Sequence, residues 1–179
     1  IEVDAHEPEA FIAAVKAIAP TFGAINLEDI KAPECFEIER RLKDELGIPV
    51  MHDDQHGTAI ISGAGLLNAL EIAGKAIEDV RIVISGAGAA AIACARLYCA
   101  LGANHRNIVM TDSKGVIRAS RTDLNTMKRE FATEREELTS LAEALVGADV
   151  FVGLSKGGMV TGDMVKTMAS DPILFALAN

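Results

Sequence analysis

Two pairs of neighbouring carboxylates occupy positions where the sequence could support metal chemistry. Glu28 and Asp29 end one short apolar, strand-like run, and Asp53 and Asp54 follow another. Adjacent carboxylates beside apolar strands are costly unless a cation neutralises them. Mg²⁺ and Mn²⁺ prefer oxygen ligands and leave room for substrate oxygens, and open α/β sheets bind ligands at the carboxyl ends of their strands. The pairs are therefore a candidate divalent-metal site; helix capping on a solvated surface is the alternative explanation.

A glycine turn suggests a dinucleotide site. Gly86, Gly88 and Ala91 fit the pattern G-x-G-x-x-A, with Ala87 inside the turn, between a predicted strand at Arg81–Ser85 and a predicted helix. The first glycine permits the tight turn, the second lets the backbone approach a pyrophosphate, and the small alanine allows close helix–strand packing. The helix N-terminus offers free N–H groups to phosphate. We predict that this turn binds NAD or NADP.

Residues at the tip of the next predicted strand bear on the choice of cofactor. Asp112 could accept a hydrogen bond from a ribose hydroxyl, which alone would suggest NAD. Ser113 and Lys114 follow at once, and Arg118 and Arg121 lie near, so a 2′-phosphate could be accommodated. NADP is favoured over NAD, with ordinary solvated loop charges as the alternative.

Other candidates carry weaker signals. His52 and His56 are four residues apart, which would suit zinc only on a helix, and Gly57 with the adjoining aspartates predicts a loop there. Tyr98 lies mid-helix and is expected to pack in the core. The segment 155–158, Ser-Lys-Gly-Gly, follows a predicted strand and is either a ligand-facing loop or a plain turn.

The elements that must position these residues alternate between strands and helices, which indicates a parallel α/β sheet. The charged stretch 113–135 is expected at the surface. Helices are predicted at Pro8–Ala19, Pro33–Gly47, Gly57–Ala73, Ala89–Leu101, Leu138–Val146 and Met164–Met168, and strands at Phe22–Leu27, Ile48–Met51, Arg81–Ser85, Asn107–Thr111, Asp149–Leu154 and Ile173–Ala178.

Composition narrows the class of protein. The 179 residues carry 17 Lys and Arg against 26 Asp and Glu, a net charge of -9, which disfavours general nucleic-acid binding. No apolar stretch approaches the ~20 residues of a membrane span. An odd set of three cysteines indicates reduced thiols and a cytoplasmic protein. The first residue is not Met and both ends look cut, so the chain is expected to be part of a longer protein.

Five segments together resemble malic enzymes, in particular the bacterial NADP-using type. They are Ile25–Pro33, His52–Thr58, Gly86–Ala90, Asp112–Gly115 and Ala176–Asn179. The resemblance implies oxidative decarboxylation of L-malate to pyruvate and CO₂, with reduction of NADP⁺ or NAD⁺ and with Mg²⁺ or Mn²⁺. It also implies a homo-oligomer.

The resemblance further assigns roles to residues. Glu28, Asp29 and Asp54 match the metal ligands, Asp53 matches a neighbouring active-site carboxylate, and Asn179 matches an asparagine near malate and the nicotinamide. Gly86, Gly88 and Ala91 match the cofactor turn, and Asp112 the ribose carboxylate.

The same resemblance predicts the domain organisation. Residues 1–52 would be the C-terminal part of a substrate domain, and residues 53–179 a Rossmann-like, doubly wound NAD(P)-binding domain, incomplete at its C-terminus. The family's catalytic tyrosine and lysine lie in segments that would precede Glu28 and that this chain does not contain. Two other classes stay open from the sequence: a non-catalytic NAD(P)-binding module, and a dehydrogenase of the amino-acid type.

Overall fold

The computed structural model describes residues 1–178. Along that part of the chain helices and strands alternate, except that two strands and then two helices follow one another between residues 108 and 145. The helices are α1 (Pro8–Ile18), α2 (Glu34–Glu45), α3 (Asp53–Ala73), α4 (Ala89–Ala100), α5 (Thr126–Arg129), α6 (Leu141–Leu145) and α7 (Gly162–Lys166). The strands are β1 (Ile25–Leu27), β2 (Val50–His52), β3 (Ile82–Ser85), β4 (Ile108–Asp112), β5 (Gly115–Val116), β6 (Val150–Gly153) and β7 (Ile173–Ala176).

The larger sheet confirms the predicted Rossmann-like architecture. Its order is β5-β4-β3-β6-β7, with β3, β4, β6 and β7 parallel and the short β5 antiparallel to β4. The chain leaves β3 for β4 on one side and later returns to β6 on the other. The order therefore reverses between β3 and β6, and such a switch point is where doubly wound sheets bind ligands.

Alternation along β3 divides the core between the two faces of this sheet. Ile82 and Ile84 pack with α3 and α4, where Leu66 and Tyr98 are fully buried. Val83 faces the opposite cluster, which includes Leu145 of α6. A strand that is buried on both faces reads as a continuous apolar run, as this one does.

A smaller unit precedes this domain. Strands β1 and β2 pair in parallel, with Leu27 opposite His52, and α1 and α2 pack over them. Its core contains Ile12, Leu42 and Val50. The α/β unit ends where β2 runs directly into α3.

Two predictions about local structure were wrong. Helix α3 begins at Asp53, four residues before the predicted start at Gly57, because the two aspartates suit the first turn of a helix. The predicted loop at this position is therefore helical. The stretch 113–135 is not all surface, because Ile117 and Phe131 are buried in the main core beneath their charged neighbours.

Several element ends also differ. Helix α6 begins only at Leu141, because Ser140 and Glu143 form a reciprocal capping box that fixes its start. The first strand shortens to Ile25–Leu27 and leaves Phe22 outside it, 39% exposed. Within residues 1–178, no helix combines the length and apolarity needed to cross a bilayer.

Candidate functional site

The glycine turn after β3 has the backbone that its sequence requires. Gly86 is buried with φ 129°, and a Cβ atom there would lie 3.2 Å from the backbone of Leu154, so only glycine fits without strain. Gly88 is exposed with open space around its Cα and forms the N-cap of α4. Ala91 is completely buried in the first turn of α4. Backbone N–H groups at the start of α4 are thus open to an anionic ligand.

Three strand ends meet beside this turn. The Gly86 N–H donates to the Thr111 carbonyl at 2.9 Å, which joins the ends of β3 and β4. Ser85 Oγ lies 3.0 Å from Ser155 Oγ, which joins the ends of β3 and β6. The loop 155–158 accordingly lies next to the turn, at the switch point of the sheet, as a ligand-facing loop would.

Asp112 is the centre of a partly buried ionic cluster. Arg121 donates to both of its carboxylate oxygens at 2.9 and 3.0 Å, Lys128 Nζ donates at 2.7 Å, and the Lys114 N–H donates at 3.0 Å. Burial raises the pKa of Asp112, but the hydrogen bonds from Arg121 and Lys128 outweigh burial and lower that pKa to about 2. The four hydrogen bonds match the accepting capacity of a carboxylate. The ribose role of Asp112 remains a prediction, since a ribose hydroxyl would have to compete with one of these donors.

The predicted phosphate-reading residues lie on the exposed side of this cluster. Ser113 is exposed. The Lys114 side chain is 67% exposed, and its ammonium donates to Asp123 Oδ2 at 2.7 Å. Arg121 donates to Asp123 as well and carries the positive charge inward to Asp112. The end of β4, with Asp112 and the residues bound to it, therefore presents cationic side chains to solvent beside the glycine turn. We call this region the cofactor edge.

The carboxylate pairs come together through the smaller sheet. Pairing of Leu27 with His52 places the residues that follow β1 next to those that follow β2. The Asp29 N–H donates to Asp54 Oδ2 at 2.9 Å, which joins the two pairs directly, and Asp29 has the unusual φ of 59°. Both residues are exposed, as is Glu28. Asp54 is thus directed at Asp29 and not away from it.

Asp53 lies beside them in the first turn of α3. Its carboxylate occupies the space that a side chain at Gly57 would fill, so Gly57 makes room for it. Among residues 1–178, no three His, Cys, Asp or Glu side chains converge closely enough to hold a metal ion. The donor types suit a divalent cation, but the ligand roles of Glu28, Asp29 and Asp54 remain predictions. Asn179 lies outside the described residues.

The residues Glu28, Asp29, Asp53 and Asp54 form what we call the carboxylate corner. Sequence reasoning missed Glu39, which lies on α2 behind this corner. Its side chain is 8% exposed, and it accepts hydrogen bonds from the His52 N–H at 3.1 Å and from His56 and Lys43. His52 is the N-cap of α3 and His56 lies in its second turn, so Glu39 fastens α2 to the start of α3. A glutamate next to Ile38, on the buried stripe of α2, was the signal available in the sequence.

Comparison with known proteins identifies the family. The profile of the malic enzyme NAD-binding domain matches residues 55–179, and that of the malic enzyme N-terminal domain matches residues 3–43. The chain belongs to the malic enzyme family. Membership excludes the amino-acid dehydrogenase alternative and confirms the resemblance inferred from the motifs.

Individual relatives agree with this assignment. The chain is 58% identical over 179 residues to the NADP-dependent malic enzyme of Halomonas elongata, covering 100% of the chain and 42% of that relative. It is 52% identical over 180 residues to the NAD-dependent malic enzyme of Geobacillus stearothermophilus, covering 99% of the chain and 37% of that relative. The crystal structure of the NAD-dependent malic enzyme of Thermotoga maritima is 41% identical with a TM-score of 0.93, covering 100% of this chain and 48% of that one.

The chain thus spans less than half the length of these relatives. Both NADP- and NAD-dependent proteins stand among them, so overall identity does not choose the cofactor. What the family establishes is an NAD(P)-binding oxidoreductase domain.

Proposed function

We propose that this chain is the metal- and cofactor-binding part of an enzyme that oxidatively decarboxylates L-malate to pyruvate and CO₂. The observation that carries the proposal is the hydrogen bond between the Asp29 N–H and Asp54, which joins two strand-end carboxylate pairs in a family member. Asp53 and Asp54 also suit the first turn of α3, but that position does not require Glu28 and Asp29 to lie beside them.

In this proposal Glu28, Asp29 and Asp54 hold Mg²⁺ or Mn²⁺, and Asp53 is a neighbouring active-site carboxylate. The three ligands supply oxygen donors, the type such ions prefer, and their exposure leaves them accessible to malate. The bound cation would polarise the malate hydroxyl and stabilise the enolate released with CO₂. Asn179 is proposed to contact malate and the nicotinamide.

The cofactor is proposed to be NADP. The Gly86–Gly88 turn and the N–H groups at the start of α4 would bind the pyrophosphate, with Ala87 in the turn and Ala91 allowing α4 to approach. Ser113 and Lys114 would contact the 2′-phosphate, because both are exposed at the edge of a cluster rich in cations.

The remaining parts of the proposal concern organisation. Residues 1–52 would belong to the substrate domain and residues 53–179 to the NAD(P)-binding domain. The acid and base of the reaction would come from segments that this chain does not contain, and the intact protein would be a homo-oligomer acting on malate and pyruvate.

Malate- and Mn²⁺-dependent reduction of NADP⁺ by the intact protein tests the function, with residues 1–179 alone as the matched control. We expect turnover by the intact protein and at least ~10²-fold less by the isolated chain, because positioned acid–base catalysis contributes ~10²–10⁴-fold. NADP⁺ binding without any malate turnover would instead support a non-catalytic module. Comparable turnover by the isolated chain would place the acid and base within it.

A further inference from the structure

A buried carboxylate connects two elements behind the candidate metal ligands. Glu39 lies on α2, whereas Asp53 and Asp54 open α3, and the only covalent connection between the helices runs through β2. Glu39 is one of the few charged side chains in the described residues to be buried. Burying a carboxylate is costly unless it is paired and hydrogen-bonded, so the partners of Glu39 must offset that cost.

Glu39 has three partners, and two of them belong to the start of α3. The His52 N–H donates to Glu39 Oε1 at 3.1 Å, and His56 Nε2 lies 2.8 Å from the same oxygen. Lys43, one turn along α2, contacts Oε1 at 2.8 Å. Burial raises the pKa of Glu39, but the hydrogen bonds from Lys43 and His56 lower it overall, so the carboxylate is anionic at neutral pH.

These contacts bracket the two aspartates. His52 immediately precedes Asp53, and His56 follows Asp54 by two residues. Glu39 therefore binds the backbone N–H just before the two aspartates and the side chain of His56 just after them. Asp54 in turn accepts from the Asp29 N–H at 2.9 Å. A rotation of the first turn of α3 would break the Glu39 contacts and would move Asp54 relative to Asp29.

We propose that Glu39 is a positioning residue that fixes the first turn of α3 and thereby the placement of Asp53 and Asp54 toward Asp29. This inference rests on the proposed metal site and deepens it. The hydrogen bonds of Glu39 go to the His52 backbone and the His56 ring, and it acts on the aspartates through these two groups. Groups behind metal ligands that orient them typically contribute 10- to 100-fold to metal affinity.

The test compares Glu39→Ala and Glu39→Gln with Glu37→Gln in the intact protein. Glu37 lies on the same helix, is exposed and has a loose ion pair with Arg41 at 3.9 Å, so it controls for loss of a charge on α2. The dissociation constant of Mn²⁺ is measured from the paramagnetic resonance signal of free Mn²⁺, and that of NADP⁺ by calorimetry without metal. Both are measured well below the unfolding temperature of each variant.

We expect Glu39→Ala to raise the Mn²⁺ dissociation constant ~10- to 100-fold and to leave that of NADP⁺ within about twofold. Glu39→Gln should give a smaller rise, because its amide oxygen can still accept from the His52 N–H while the charge facing His56 and Lys43 is lost. Glu37→Gln should change neither constant. If Glu39→Ala does not fold, Glu39→Gln decides by the same two measurements.

An unchanged Mn²⁺ constant in folded Glu39 variants would overturn the inference, and so would equal losses of Mn²⁺ and NADP⁺ affinity, which indicate a general structural role. Asp54→Asn separates this outcome from failure of the proposed function. If Asp54→Asn weakens Mn²⁺ binding and the Glu39 variants do not, only the positioning role is wrong. If Asp54→Asn has no effect, the proposed metal site itself is wrong.

Discussion

The two halves of the proposed site satisfy their negative charges in opposite ways. Asp112, at the cofactor edge, is 8% exposed and accepts hydrogen bonds from two cationic side chains and a backbone N–H. Asp54, in the carboxylate corner, is exposed, and in the described part of the chain it accepts from a single backbone N–H. A carboxylate whose lone pairs are all used organises its protein neighbours, whereas one with free lone pairs remains available to a ligand.

The two regions also differ in how they are assembled. The partners of Asp112 come from the next 16 residues of the chain, all in the segment that follows β4. The carboxylate corner requires β1 and β2 to pair and depends on α2 through Glu39. We therefore expect the corner to be the more sensitive region to changes at a distance, and the cofactor edge to be the more robust one.

The largest effect is expected from Asp54→Asn. The substitution removes the negative charge of one proposed metal ligand. It should therefore cost the several kcal/mol by which a metal stabilises the transition state, so kcat/KM for malate in the intact protein should fall at least ~10³-fold. Affinity for NADP⁺ without metal should not change, because Asp54 lies in the other half of the site. Steady-state kinetics and calorimetry provide the two measurements.

Asp44→Asn is the matched control for that substitution. Asp44 is exposed on α2, and within residues 1–178 its one ion-pair partner is Arg40, one turn away. Loss of the Asp44 charge should leave both kcat/KM for malate and the affinity for NADP⁺ unchanged. A fall of less than tenfold for Asp54→Asn would show that this carboxylate is not a metal ligand, and the contrast between the two regions would disappear.

A smaller effect is expected from Lys114→Ala at the cofactor edge. Loss of a charge-assisted contact to a 2′-phosphate costs ~1.5–3 kcal/mol, so the dissociation constant of NADP⁺ should rise roughly tenfold to a hundredfold while that of NAD⁺ changes little. Lys166→Ala on α7, where the side chain is 79% exposed, is the control. Equal losses for both cofactors would show that Lys114 does not distinguish them.

The sequence predicted the elements and the neighbourhood of the site better than the site's hydrogen bonds. The parallel sheet and the glycine turn follow from local patterns, since Gly86 and Ala91 have one plausible task each between a strand and a helix. The meeting of Asp29 with Asp54 could be anticipated only from the rule that parallel strands end at one edge.

What could not be predicted depends on contacts across the fold. Nothing local indicates that Arg121 and Lys128 bind Asp112, which the sequence instead suggested as a ribose acceptor. The early start of α3 was missed because Gly57 was interpreted as a helix boundary. In the fold it lies inside the helix, where its missing side chain leaves room for Asp53.

The ionic cluster around Asp112 should make the stability of the fold depend on pH in acid. The pKa of Asp112 is about 2 in the fold against 3.8 for a free aspartate, so the unfolded chain binds more protons between those values. The contribution of Asp112 to stability is therefore fully present above about pH 4 and is lost as the pH falls through about 2, a total of about 2 kcal/mol.

Urea unfolding at pH 7, 4 and 3 should show the free-energy difference between the unmodified protein and Asp112→Asn narrowing only below pH 4. Asp163→Asn, at a carboxylate that is 91% exposed, corrects for general titration. A difference that stays constant down to pH 3 would mean that the hydrogen bonds from Arg121 and Lys128 do not stabilise the ionised form of Asp112. The ionic cluster around Asp112 would then not stabilise the cofactor edge.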